Sequence, residues 1–162
     1  MNRVQAALGS TLFLFAAPGV MAGLIPYALT GWESTGPPAV VIGLGVLVGL
    51  AGIAVVLGTF ARFVLEGRGT PAPVAPTEQL VVGGMYRYVR NPMYVGVIAT
   101  ILGQGLILGR PVLLAYAAGF WLLVASFVRF YEEPTLREQY GDEYDAYCRA
   151  VPAWLPRLRP WV

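Results

Sequence analysis

Long apolar runs alternate with short polar connections along the chain. Four stretches, 4–29, 37–61, 91–109 and 111–128, hold no charged residue. Each can cross a hydrocarbon core of about 30 Å as a helix, which takes roughly 17 to 25 residues. Lipid offers the backbone no hydrogen bonds, so each run must satisfy its own, and helices are predicted throughout. The pattern predicts an all-α integral membrane protein: a four-transmembrane-helix bundle with a cytoplasmic C-terminal helical segment, forming one domain over 1–162. The first run exceeds the apolar core of a usual signal peptide, so it is expected to be retained. Pro18 and Pro26 should kink it. Gly43, Gly45, Gly49 and Gly52 of the second run suit close helix contact, within the chain or at a dimer face.

The polar connections carry the sidedness. Arg3 precedes the first run, Arg62, Arg68, Arg87 and Arg90 lie between the second and third, and Arg129, Arg137, Arg149, Arg157 and Arg159 follow the fourth. Arg110 alone falls on the other side. The positive-inside bias then places both termini and the 62–90 connection in the cytoplasm, at the cytoplasmic membrane. Between the third and fourth runs stand only Gly109, Arg110 and Pro111, a tight helical hairpin. The 62–90 connection holds Gly67, Gly69, Pro71, Pro73, Pro76, Gly83 and Gly84, which argues against one continuous helix. It shares its side with the 129–162 tail, so two polar segments can meet there to build a site.

Composition narrows the chemistry. Of 162 residues, 57% are hydrophobic and 12% charged, with a net charge of +2. The eleven basic residues are all arginine and histidine is absent. Without lysine, Schiff-base chemistry and a Walker A phosphate loop are excluded. Without histidine, zincins and Ser-His-Asp hydrolases are excluded as well. The single cysteine, Cys148, forms no internal disulfide and no metal centre is expected. The scattered arginines make no footprint for nucleic acid. Chemistry falls to Glu, Asp, Arg, Tyr, backbone groups or a borrowed cofactor.

Asn91-Pro92 reads as a helix start, with Asn capping free amides and Pro at the first helical position. Ahead of it crowd Tyr86, Arg87, Tyr88 and Arg90, and Glu132-Glu133-Pro134 follows the fourth run. Two carboxylates just below a membrane span should face water, an arginine or a bound cation. Further on, Leu136, Tyr140, Tyr144, Tyr147 and Val151 recur at helical spacing. That apolar stripe lies on the membrane surface or on the bundle, and Gly141 is placed to divide it. With no His or Lys beside it, Cys148 reads as an inert interfacial residue.

Two separated motifs carry a resemblance. Gly84-x-Tyr86-x3-Arg90-Asn91-Pro92-x-Tyr94-x-Gly96, then Glu132-Glu133-x2-Leu136-x3-Tyr140-Gly141-x2-Tyr144-x2-Tyr147-x3-Val151-Pro152, resemble the isoprenylcysteine carboxyl methyltransferase family, to which the phospholipid N-methyltransferases are similar. The likeness covers about half the chain, from Glu78 to Pro156. It implies an integral-membrane methyltransferase using S-adenosylmethionine at the cytoplasmic face. Carried over by position, Glu78, Gln79, Leu80, Val81, Tyr86, Asn91, Pro92, Met93, Tyr94 and Glu132 are implied cofactor contacts, with Glu133 as a neighbouring candidate. The carboxyl methyltransferases have histidine where this chain has Asn91. Their substrate-carboxylate arginine falls on Val128, beside Arg129. The Asn-Pro-Met-Tyr and Tyr-Glu-Glu-Pro strings are nearer the phospholipid methyltransferases.

Methyl transfer from a sulfonium is an in-line displacement that needs alignment and field more than an acid–base pair. Glu132 suits the cofactor's ammonium group, and Arg129 or Arg90 an anionic acceptor group; these three are the candidate catalytic residues. The expected acceptor is a small molecule or lipid offering a carboxylate, thiol or amine, and membrane lipid is the expected surrounding. Two alternatives stand beside this reading: an NADPH-dependent enzyme resembling the sterol reductases, and a non-catalytic small membrane protein.

Overall fold

The computed structural model describes residue 12 and residues 15–66 and 80–161, all helix or irregular chain without strands. Six helices follow in order: α1 (Phe15–Thr30), α2 (Ala39–Glu66), α3 (Pro92–Leu108), α4 (Pro111–Phe127), α5 (Glu133–Tyr140) and α6 (Asp142–Ala150). A 3-10 turn, Gly84–Arg87, precedes α3, and a π-turn, Val128–Glu132, joins α4 to α5 without a break. Two of these helices, over Ala39–Arg62 and Pro111–Tyr140, are long and apolar enough to cross a membrane. Only 17% and 28% of their apolar windows are buried, so most of each faces outward, unlike the core helix of a soluble protein. Phe15–Thr30 and Pro92–Leu108 are shorter apolar helices.

Helix α3 is central and packs against α2, α4 and α1. Among the described side chains of α2 the buried positions are Gly45, Gly49, Gly52, Val56 and Thr59, a seam at alternating steps of four and three, together with Phe60. Its glycines let the α2 and α3 backbones touch. A Cβ at Gly52 would lie 2.6 Å from the Gly96 carbonyl oxygen, and one at Gly103 2.6 Å from the Gly49 Cα. Gly45, Gly49 and Gly52 therefore pack within the chain, whereas Gly43 faces open space. Below the glycines, Val56 and Phe60 join Val97, Ile101, Leu113, Ala117, Phe120 and Val124 in the main core.

Proline shapes both ends of the bundle. In α1 the first ten residues, Phe15–Leu24, are π-wound, with Pro18 inside. Pro26 has no N–H to offer the Ala22 carbonyl four residues back; the Gln104 Nε2 of α3 donates to it at 2.7 Å, and the Tyr116 hydroxyl of α4 donates to Met21 at 2.8 Å. The expected hairpin is present: Gly109 adopts φ 64° and terminates α3, and Pro111 opens α4. Arg110 Nε donates to the Glu33 carbonyl at 2.9 Å, tying the α1–α2 connection to this turn.

Two expectations are corrected. Helix α2 continues past 61 as far as Glu66, because nothing in 62–66 breaks a helix; Gly67, Gly69, Pro71, Pro73 and Pro76 of the expected connection lie outside the described residues. Asn91 does stand before Pro92 at the helix start, but its side chain caps no amide. Its Nδ2 donates instead to the Ala153 carbonyl at 3.1 Å.

Gly103→Leu is expected to destabilise the protein by at least the ~1–3 kcal/mol usual for overpacking, because backbone rather than a flexible side chain stands in the way. Gly43→Ala should leave stability equal or slightly higher. Thermal melts in detergent compare the two.

Candidate active site

The site is built where three segments converge: the 80–91 approach to α3, the π-turn leading into α5, and the tail after α6. The π-turn sets the direction of the acidic pair. Glu133 N–H bonds the Val128 carbonyl five residues back, and Pro134 comes next with no N–H of its own. One extra residue in the turn rotates the start of α5 by about 100° relative to an uninterrupted α-helix. The two glutamates then part ways.

Glu133 turns inward. It is 7% exposed and accepts from Arg90 Nη1 at 2.8 Å, with Arg129 Nη1 at 3.4 Å. The same Arg90 nitrogen lies 2.9 Å from Cys148 Sγ in α6, and Arg90 Nε is buried without a partner. Arg129 is 72% exposed on its side chain, at the rim. Glu132 is half-buried, and among the described residues no arginine pairs with it. The Tyr94 hydroxyl, from the first turn of α3, lies 3.4 Å from its Oε2.

Tyr86 sits in the 3-10 turn, which Gly84 enters at φ 59° with the Arg62 side chain lying against it. Its carbonyl accepts from the Tyr147 hydroxyl at 2.7 Å. Burial pushes the Tyr86 hydroxyl well above the usual phenol range, and the charge of Glu132 adds to the shift, so the group stays protonated. Tyr86 also walls a cavity of about 430 Å³ with Gly58, Thr59, Arg62, Arg87 and Pro160.

The apolar stripe is covered by the approach to α3 and by the tail. Tyr144, Tyr147 and Val151 are buried against Leu80, Val82 and Trp161, and Gly141, at φ 53°, does divide α5 from α6. Past α6 the tail runs back across the approach to α3. Arg90 N–H donates to the Pro152 carbonyl, Arg157 N–H to Tyr88 and Trp161 N–H to Arg87, each at 2.9 Å. Trp154 packs beside Tyr94, with ring centroids 6.4 Å apart.

The sequence-derived residues therefore divide. Tyr86, Tyr94 and Glu132 meet through charge and hydrogen bonding. Asn91 and Arg90 are held by the tail and by Glu133, Pro92 is fully buried at the start of α3, and Met93 packs on the main core. Leu80 packs under the tyrosines and Val81 is half-buried beside it. Glu78 and Gln79 lie outside the described residues. Sequence reasoning missed the contacts of Cys148, Tyr147 and the tail. The one available signal for the tail was Trp154 and Trp161 among prolines just after the tyrosine stripe.

Arg90→Met is expected to cost about 3–5 kcal/mol by leaving Glu133 buried without its close partner. Combining it with Glu133→Leu should recover most of that loss, as read by thermal unfolding of the two variants and the double variant.

The chain is similar to known proteins over about half its length. It is 36% identical to the protein-S-isoprenylcysteine O-methyltransferase of Schizosaccharomyces pombe over 80 residues, which are 49% of this chain and 34% of that one. It is 32% identical to protein-S-isoprenylcysteine O-methyltransferase B of Arabidopsis thaliana over 80 residues, 49% of this chain and 40% of that one. Against the Homo sapiens protein-S-isoprenylcysteine O-methyltransferase it is 31% identical over 90 residues, 51% of this chain and 29% of the human one. The matched stretch thus spans well under half the length of these relatives. Residues 40–143, which run from α2 through the π-turn into α6, match the phospholipid methyltransferase family profile, and the chain belongs to that family.

Proposed function

We propose that this chain is an integral-membrane S-adenosylmethionine-dependent methyltransferase acting on a small or lipid-like acceptor. The observation that carries the reading is Glu132, a half-buried carboxylate beside a tyrosine hydroxyl, with no arginine on it among the described residues. Such a group suits a cationic ammonium, to which it would offer a charge-assisted hydrogen bond. S-adenosylmethionine carries that ammonium, and when bound it supplies an electrophilic methyl on sulfur.

The chain's own residues would bind and orient. Glu132 accepts from the ammonium, and Tyr94 fixes the carboxylate's direction. Tyr86 keeps its proton, so its hydroxyl can offer a hydrogen bond but does not serve as a base. Leu80, Val81, Asn91, Pro92 and Met93 remain the further cofactor contacts that the resemblance implies, together with Glu78 and Gln79, which lie outside the described residues. Arg90 and Glu133 act as positioning residues that hold α5 against the approach to α3. Arg129, at the rim, is placed for an anionic group of the acceptor. With no His or Lys in the chain, a carboxylate or thiolate acceptor needs no base, and an amine loses its proton before binding or to a Glu or Tyr.

In this reading α1 and α3 cross the bilayer with α2 and α4. Both termini and the site face the cytoplasm, as the arginine distribution favours. The methyltransferase relatives support methyl transfer over the nicotinamide-dependent and non-catalytic alternatives.

Detergent-purified protein should bind S-adenosylmethionine saturably. Glu132→Gln is expected to weaken binding about ten- to hundredfold, as loss of a ~1.5–3 kcal/mol charged hydrogen bond requires. Tyr94→Ala should weaken it less, and the melting temperature of each variant should stay near that of the parent. Unchanged affinity in both variants would remove the site assignment. Absence of binding by the parent would remove the function.

A further inference from the structure

The tail from 152 to 161 is pinned by its backbone to the approach to α3, yet it points two leucines away from the protein. Leu155 is 80% exposed and Leu158 99%. Between the pinned points Trp154 turns inward and meets Trp121 of α4 edge-on, with centroids 6.2 Å apart. Trp121 stands six residues before the end of α4, about 9 Å along the helix axis at 1.5 Å per residue. The tail therefore dips back alongside the apolar length of α4, whose Leu122 and Leu123 are themselves 59% and 65% exposed. Arg157 and Arg159 flank Leu158, and no acidic residue follows Asp145. Arg157 spends one nitrogen on the Ala150 carbonyl, while Arg159 is exposed.

Leucines in a segment that packs alongside a membrane helix, set between arginines with no acidic residue in the same stretch of sequence, match the boundary between acyl chains and anionic headgroups. We propose that the 152–161 tail is a membrane-interfacial element: Leu155 and Leu158 enter the acyl boundary, and Arg159 meets lipid phosphate. The proposal rests on α4 spanning the bilayer. It makes lipid a structural ligand of the site, because the inserted segment is the one that holds Tyr88, Arg90 and Asn91 in place.

The test uses the unaltered chain in nanodiscs of phosphatidylcholine and phosphatidylglycerol containing a lipid with a photoactivated carbene group in its acyl chain. Adducts are mapped by mass spectrometry. The expected result is labelling at Leu155 and Leu158 as well as at Leu122 and Leu123, with none around Glu143 of α6, and a fall in tail labelling relative to α4 when phosphatidylglycerol is left out. Labelling of α4 without the tail would overturn the proposal while leaving the membrane reading of α4 intact. Labelling of neither would overturn both. A second measurement places a spin label at Leu158→Cys in a Cys148→Ser background, with Leu123→Cys and Glu143→Cys as references. Oxygen accessibility exceeding that to a water-soluble nickel chelate, as at position 123, supports insertion. A profile like that at position 143, as for a tail waiting on a protein partner, refutes it.

Discussion

The buried ion pair between Arg90 and Glu133 is the contact on which the polar end of the molecule depends. A carboxylate 7% exposed is stable only when paired and hydrogen-bonded, and the partner at 2.8 Å comes from a segment 43 residues earlier. That one contact decides where α5 sits against the start of α3. Cys148 on the same arginine brings α6 into the arrangement, and Tyr147 then reaches the Tyr86 carbonyl. With Glu133 so occupied, the neighbouring Glu132 is left to Tyr94 and to whatever enters the site. Two adjacent, chemically identical residues thus have opposite fates, one structural and one available.

Backbone satisfaction governs the apolar part in the same way that charge pairing governs the polar part. Where proline removes a donor, a side chain or a change of helical pitch replaces it. Gln104 reaches from α3 to the Ala22 carbonyl opposite Pro26, and the ladder ahead of Pro134 steps to a five-residue spacing. In a low-dielectric surrounding each such repair also acts as a joint between helices, so the kinks that weaken individual helices fasten the bundle. The glycines of α2 and α3 work alongside these joints by letting dispersion between two backbones replace side-chain packing.

Much of this was legible in the sequence, and the rest was not, for definite reasons. Helix positions, the Gly109 hairpin and the break at Gly141 are local: composition and left-handed glycine decide them within a few residues. The tyrosine stripe was legible as a stripe, but its partner was not, because Leu80, Val82 and Trp161 lie far off along the chain and carry no periodicity that marks them as a receiving surface. Asn91 looked like a cap because its neighbours permit one; the Ala153 carbonyl, 62 residues away, outcompeted the local amides. The likeness of the two motifs to known methyltransferases pointed to segments that the fold brings together. The geometry gave Glu133 its ion-pair role and showed that Arg90 is engaged within the protein while Arg129 is not buried.

The strap formed by the tail has a consequence in time as well as in space. A chain is made from its N-terminus, and the segment bearing Tyr86, Asn91 and Tyr94 leaves the ribosome about 60 residues before the residues that pin it, a delay of roughly 3–12 s at ~5–20 residues per second. Arg90 waits 43 residues for the Glu133 carboxylate and still lacks the Pro152 carbonyl through the rest of that interval. The apolar helices can enter the bilayer and pair through their glycines while the polar edge is still unassembled. The polar edge is thus closed only once residues 152–161 have been made.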